Sequence, residues 1–297
     1  MNPDVAIWLV GARGMLGRQL ALEFASREFT FFASDQEVDI CRRQCLQDFA
    51  RGKKIGWMVN CAAYTAVDRA EDEPERALAV NAAGVENLSR LAAELGARLI
   101  HFSSDYVFAG DQKEPYRENV QPRPLSRYGW SKWQGEIKLA ANLDTFFLFR
   151  ISWLYGVYGP NFVHTMLKIF REKETARVVN DQFGSPTYAA ALAENVAGLI
   201  GSDSDRYGVY HYCDSGAISW FDFASRIMEL ALEFGMIPKM IPLEAVPTSA
   251  FPSAAVRPPY SVLDSGKAVR ELGFQVRDWL LNLKNFFREE AQLEDTL

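Results

Sequence analysis

At 297 residues, 48% of them hydrophobic and 24% charged, the chain can bury a full core and has no segment biased enough for a long disordered region. A formal net charge of −6 argues against a broad footprint for nucleic acid or anionic membrane, so neither is expected as a partner and any anionic ligand is small. Four cysteines (Cys41, Cys45, Cys61, Cys213) and three isolated histidines (His101, His164, His211) make neither a disulfide framework nor a metal-ligand spacing, so no metal is expected and the cytoplasm is the natural compartment.

The first apolar run, Val5–Val10, follows acidic Asp4, is too short for a signal-peptide core and meets glycine at once; it reads as a buried strand. Gly11-Ala12-Arg13-Gly14-Met15-Leu16-Gly17 comes next and opens a helical period over Leu16–Phe24. A glycine-rich turn between strand and helix admits a pyrophosphate to the helix N-terminus, which makes Gly11, Arg13, Gly14, Met15, Leu16 and Gly17 candidate dinucleotide contacts. The alternative is a tight turn whose glycines serve packing alone.

A second strand is expected over Phe29–Ala33, with Asp35 just past its end and about 20 residues beyond the glycines, where a carboxylate accepts from the ribose hydroxyls of NADH. Arg13 within the turn could instead meet the 2′-phosphate of NADPH, and Asp35 could be a surface cap. Asp39 and Ile40 are placed to bracket the adenine. The third strand, Trp57–Cys61, runs into Ala62, Ala63, Tyr64 and Thr65, where small residues let a cofactor approach the backbone or simply pack well.

A helical period over Glu75–Leu95 leads to a fourth strand, Leu99–Ser103, followed by Ser104, Asp105 and Tyr106. Tyr128-Gly-Trp-Ser-Lys132 opens the next helix, whose period continues over Lys132–Leu143, and Phe146–Ile151 is the fifth strand. Near-continuous apolar strands alternating with helices predict an α/β fold, a Rossmann-type doubly wound parallel sheet occupying residues 1–152. From about Trp153 the rhythm loosens: Gly156 to Pro160, Gly184-Ser185-Pro186 and the proline-rich Thr248 to Pro259 are breaks. Residues 153–297 are therefore expected to form mainly a smaller, less regular lobe that closes over a substrate, with some segments returning to the first domain.

The spacing puts Tyr128 and Lys132 on one helical face. A free phenol titrates near 10, and a neighbouring ammonium together with a positively charged nicotinamide is expected to draw it toward neutrality, making Tyr128 a usable proton donor. Tyr-x-x-x-Lys alone usually marks an amphipathic helix with a solvated lysine. Here it follows the glycine turn, Asp35 and Ser104 in the order a single hydride-transfer site requires.

The glycine turn followed by Ser104, Tyr128 and Lys132 resembles the extended short-chain dehydrogenase/reductase family. Ser-Ser-Asp-Tyr-Val-Phe at 103–108, Arg-Ile-Ser-Trp-Leu-Tyr-Gly at 150–156, Asn-Asp-Gln-Phe-Gly-Ser-Pro-Thr at 180–187 and Val-Pro-Thr-Ser-Ala-Phe-Pro at 246–252, with Arg257-Pro258, are similar to its members that reduce dTDP-linked 4-ketosugars. The resemblance spans nearly the whole chain. It implies NADH- or NADPH-dependent reduction of the 4-keto group of dTDP-4-dehydro-L-rhamnose to dTDP-L-rhamnose, a step toward cell-surface polysaccharide. Ser104 would hydrogen-bond the keto oxygen, Tyr128 protonate it as hydride reaches C4, and Lys132 tune Tyr128 and hold the nicotinamide ribose.

By the same resemblance Ser104, Asp105 and Trp153 contact the sugar nucleotide and Arg257 clamps its diphosphate. Read without it, Trp153 is equally a core aromatic and Arg257 a surface charge or structural partner. Ser104 stands where this subfamily commonly has threonine, which keeps the hydroxyl. Related dehydratases place Asp-Glu after the catalytic hydroxyl residue; Asp105 is followed by Tyr106, which disfavours water elimination. The alternatives are a reductase or epimerase of another nucleotide sugar, or a noncatalytic dinucleotide-binding regulatory subunit; a homodimer is the default assembly.

Overall fold

The five apolar runs of the first half become parallel strands: β1 Ala6–Val10, β2 Phe31–Ser34, β3 Ile55–Asn60, β4 Arg98–Ser104 and β5 Phe146–Ile151. A sixth strand, Gly208–Tyr212, joins from the second half, and the order across the sheet is Gly208–Tyr212, β5, β4, β3, β1, β2. The structure is a computed structural model that describes residues 6–294; Val5, at the head of the first expected strand, and the outermost ends of the two expected lobes lie outside the described residues.

These strands read as continuous apolar runs because helices cover both faces. On one face Ile7, Leu9, Val59, Ile100, Phe147 and Phe149 pack against α1 (Met15–Ser26) and the helix Ala189–Ser202. On the other, Trp8, Val10, Met58, Leu99 and Leu148 meet Leu46, Leu88 and Leu139 of three further helices. Each fully buried large side chain contributes roughly 1.5–3 kcal/mol relative to exposure. A third core joins Phe170, Phe223, Ile227, Phe286 and Phe287 from helices Phe162–Glu172, Trp220–Glu233 and Trp279–Glu294. Two of these helices start on sequence-encoded caps: Asn161 Oδ1 accepts from the His164 N–H at 3.1 Å, and Ser219 with Asp222 forms a capping box.

The chain crosses from β2 over β1 to β3, so the strand order reverses between β1 and β3 and opens a crevice beyond their C-terminal ends. Val10 and Asn60 are in register there, and the Cys61 N–H still donates to the Val10 carbonyl at 2.9 Å. The helix expected over Glu75–Leu95 is interrupted: a π-helical segment, Ala79–Gly84, separates Pro74–Leu78 from Val85–Leu95. Among the described residues no helix is long and apolar enough to cross a membrane.

Candidate active site

The glycine turn is built for close approach. Gly11 has φ +76°, and a Cβ there would lie 2.6 Å from Ala62 N and 2.8 Å from the Cys61 carbonyl carbon. A Cβ on Gly17 would lie 2.2 Å from Gly11 O, so α1 can sit on the turn only because residue 17 has no side chain. Gly14 is the N-cap of α1 and contributes no side-chain cap, which leaves the positive end of the helix open to an anion. This cradle, in which neither position 11 nor position 17 admits a Cβ, fits a dinucleotide pyrophosphate.

Asp35 accepts from the Arg13 N–H (2.8 Å) and the Gln36 N–H (2.9 Å), holding the turn against the end of β2. The Arg13 guanidinium reaches Glu37 at 3.3 Å, both side chains exposed. Met15 sits under the Gly156–Gly159 loop, while Leu16 is buried against the sheet. Asp39 accepts from the Cys41 N–H (2.9 Å), and Ile40 is buried in the core under Gly84. Past β3, Asn60 Oδ1 accepts from the Ala62 N–H (3.0 Å), Ala63 is half-buried and Thr65 is exposed. The Tyr64 N–H donates to Asn81 Oδ1 and the Tyr64 carbonyl accepts from Asn81 Nδ2, both at 2.9 Å.

Ser104 ends β4, where a short 3-10 turn, Asp105–Val107, begins. Its Oγ donates to Asp105 Oδ1 (3.0 Å) and accepts from the Tyr106 N–H (3.2 Å). The helix Arg127–Asn142 starts on a Ser126 cap and carries glycine at two interior positions, where it would cost up to about 1 kcal/mol against alanine. Both admit a neighbouring backbone: a Cβ on Gly129 would lie 2.2 Å from Tyr106 O, and one on Gly135 2.1 Å from Asn81 O. The helix thus seats directly on the turn after Ser104 and on the π segment, bringing Tyr128 to Ser104. Tyr106 meets the Tyr128 ring edge-on at 5.6 Å, and Ala70 and Ala77 pack with it. Lys132, one turn on and buried, donates to the Phe102 carbonyl at 2.7 Å.

Burial pushes the Tyr128 phenol up to about 12; its hydrogen bond with Ser104 pulls the other way and the Asp105 charge adds to the rise. Burial also draws the Lys132 ammonium down to about 8, against support from Glu136 and Cys61. The packing by itself therefore raises the phenol, and the fall toward neutrality depends on the positively charged nicotinamide that the expectation invoked. Desolvation outweighs every other influence on the phenol, and the Lys132 ammonium is directed at a carbonyl. The consequence suits a reduction, because Tyr128 carries its proton throughout the neutral range.

Asp105 is buried, and desolvation raises its carboxyl to about 6 against hydrogen bonds with Ser261 and Ser104. A folded-state value above the unfolded one means that the charged form destabilises the fold above pH 6, a penalty relieved as pH falls toward 4. Asp105→Asn is expected to stabilise the protein by up to about 3 kcal/mol at pH 8. Thermal melts should show that gain shrinking at pH 5, and turnover should fall.

Trp153 has φ +47°, a strained conformation for a bulky residue, and is fixed by its surroundings. It stacks on Trp220 (centroids 3.4 Å, 9°), and a Cβ on Gly184 would strike its indole at 2.4 Å. Trp220 lines a cavity of about 650 Å³ together with Asp68, Tyr106, Phe162, Arg177 and Arg257. Arg257 is bidentate to Asp68 (3.1 and 2.6 Å), and this pair holds the Asp68 carboxyl below its usual range.

With this geometry in hand, the family model described as RmlD substrate binding domain matches residues 5–292. The chain belongs to the RmlD family. It is 37% identical over 290 residues to the dTDP-4-dehydrorhamnose reductase of Escherichia coli (strain K12), covering 95% of this chain and 97% of that one. The crystal structure of dTDP-4-dehydrorhamnose reductase from Bacillus anthracis str. Ames in complex with NADP matches with a TM-score of 0.90 at 38% identity, covering 96% and 99% of the two chains. The ortholog from Clostridium acetobutylicum ATCC 824 matches with a TM-score of 0.90 at 35% identity, over the same shares.

Several residues that shape this RmlD-family site escape a reading of the sequence. Asn81 ties the Tyr64 loop to Ser131 of the Tyr128 helix, donating to Ser131 Oγ at 2.9 Å, yet nothing in its local sequence distinguishes it from a solvated helical asparagine. Gly129 and Gly135 do carry a signal, since two glycines less than two turns apart inside a helical period mark close approach of another backbone.

Proposed function

We propose that this protein reduces the 4-keto group of dTDP-4-dehydro-L-rhamnose to dTDP-L-rhamnose with NADH or NADPH, in the cytoplasm, as a step toward cell-surface polysaccharide. The observation that carries this reading is the convergence of Ser104, Tyr128 and Lys132 beside the Gly11 cradle, in a chain whose RmlD-family relatives are named dTDP-4-dehydrorhamnose reductase. Residues 1–152 would hold the dinucleotide, residues 153–297 mainly the sugar nucleotide, with a homodimer as the assembly.

The nicotinamide, when bound, supplies hydride to carbonyl carbon C4. The protein's part is to complete the reduction at oxygen. Ser104 hydrogen-bonds the keto oxygen, and Tyr128 delivers the proton it retains at neutral pH. As the phenol empties, the buried Lys132 cation one turn away stabilises the phenolate. Asp105 and Trp153 hold the sugar, and Arg257 turns from Asp68 to the diphosphate. Asp35 would accept from the ribose hydroxyls of NADH; Arg13 released from Glu37 would serve the 2′-phosphate of NADPH, and the Bacillus anthracis relative was crystallised with NADP.

The test is a panel of nucleotide-linked 4-ketosugars offered with each reduced nicotinamide, following loss of its absorbance. Consumption is expected with the dTDP-linked 4-ketosugar. Turnover of a different nucleotide sugar alone would move the assignment to another reductase, and none at all would favour a noncatalytic subunit.

A further inference from the structure

Beneath Lys132 lies a buried ionic cluster that takes no part in the steps above. Glu136 follows Lys132 by one helical turn, and Arg150 on β5 grips it: Arg150 Nε lies 3.1 and 3.2 Å from the two carboxylate oxygens and Nη2 lies 2.7 Å from Oε2, with side chains only 5% and 7% exposed. Ser103, the residue before Ser104, donates its hydroxyl to Glu136 Oε1. Behind Arg150 stands His211, whose Nδ1 lies 2.9 Å from the Tyr116 carbonyl. A carbonyl only accepts, so Nδ1 carries the hydrogen and Nε2, 3.4 Å from Arg150 Nη1, is free to accept from the guanidinium.

A buried ion pair is by itself weak evidence for stability, because desolvation consumes most of the Coulomb gain. Its placement is the informative part. The cluster joins β4 next to Ser104, the helix that bears Tyr128 and Lys132, and β5. The groups facing Lys132 are Glu136 from its own helix, the Cys61 thiol from the loop after β3 and, on β4, the Phe102 carbonyl and the His101 imidazole. Burial keeps the thiol protonated and the imidazole neutral, so Glu136 is the one anion among them.

We propose that Glu136, locked by Arg150 and Ser103, is the positioning residue that sets the helix bearing Tyr128 and Lys132 against the Ser104 strand, and that its charge supports the Lys132 ammonium one turn away. This rests on reading Tyr128 and Lys132 as the proton-transfer pair. The decisive variant is Glu136→Gln, which keeps the size and the acceptor for Ser103 but removes the charge. Lys132 should then titrate at lower pH, read by NMR of lysine-labelled protein. The alkaline limb of kcat should move down with it, kcat on that limb falling roughly tenfold per pH unit moved, while KM for the ketosugar stays near wild type. Ser103→Ala removes no charge and is expected to fold; it should lower kcat several-fold and leave the Lys132 titration in place.

If Glu136→Gln leaves both the Lys132 titration and the alkaline limb at their wild-type positions, with only a lower melting temperature, the pair is merely structural and the proposal is overturned. If that variant does not fold, an unchanged kcat in Ser103→Ala overturns it. A wild-type protein inactive on every ketosugar would sink the proposed reaction instead, and the NMR titration would still decide whether Glu136 governs Lys132.

Discussion

Tyr128→Phe is expected to lower kcat by about 10²- to 10⁴-fold, the range a positioned general acid supplies, with NADPH affinity unchanged. One oxygen is removed from a ring whose packing stays intact: the edge-on contact with Tyr106 at 5.6 Å and the surrounding alanines do not involve the hydroxyl. The other hydroxyl at that point belongs to Ser104, which is already shared between Asp105 and the Tyr106 N–H. A serine hydroxyl is also a far weaker acid than a phenol. Because burial holds the phenol near 12, wild-type kcat should show no loss of proton donor across the neutral range. Cofactor titration followed by single-turnover kinetics separates the two effects. Unchanged single-turnover rates in the variant would remove Tyr128 from the chemistry.

The second large effect is expected from Gly11→Ala. Alanine at φ +76° pays about 1–2 kcal/mol of backbone strain, and its methyl would also stand 2.6 Å from Ala62 N. Backbone cannot swing aside as a side chain can, so β1 and β3 would have to part at the crevice proposed to receive the pyrophosphate. We expect dinucleotide affinity to fall at least about tenfold, the equivalent of roughly 1.4 kcal/mol, alongside the loss of stability. Gly96→Ala is the matched control: Gly96 has φ +64° with nothing within 4 Å of a Cβ, so it carries strain without the clash. Equal cofactor affinity in the two variants would show that the cradle is not where the dinucleotide binds.

The parts legible in the sequence are those where one physical demand leaves one pattern. Strands covered on both faces must be apolar throughout, so the apolar run of β5 coincides with its observed bounds and the others agree within two residues; β2 slips to Phe31–Ser34 because Phe29 closes the turn after α1, its N–H bonded to Phe24 O. The glycine turn is readable because only glycine tolerates Gly11's conformation and Gly17's contact. Ser104, Tyr128 and Lys132 stand out by order alone, and the fold brings Ser104 and Tyr128 into contact.

What stays hidden depends on partners distant in sequence. Glu136 and Arg150 look like surface charges until the fold buries them together, and Arg257 finds Asp68 across 189 residues. The π segment is invisible because one extra residue per turn barely disturbs an apolar period, while Asn81 within it ties the Tyr64 loop to the Tyr128 helix. The strand Gly208–Tyr212 comes from the half expected to be irregular; its polar His211 and the tyrosine hydroxyls mask an edge strand that completes the sheet. The direction of Tyr128's titration is not legible because the degree of burial is a property of the packed pocket, not of the Tyr-x-x-x-Lys spacing.

The most direct test of the central claim is isotopic: supply the enzyme with nicotinamide cofactor carrying deuterium at its reducing position, together with the dTDP-linked 4-ketosugar, and locate the label in the product by NMR. Hydride delivery to the carbonyl carbon predicts one deuterium on C4 of the sugar and none elsewhere, with the oxygen's proton drawn from Tyr128. A sugar product without deuterium, or with it at a carbon other than C4, would contradict that chemistry.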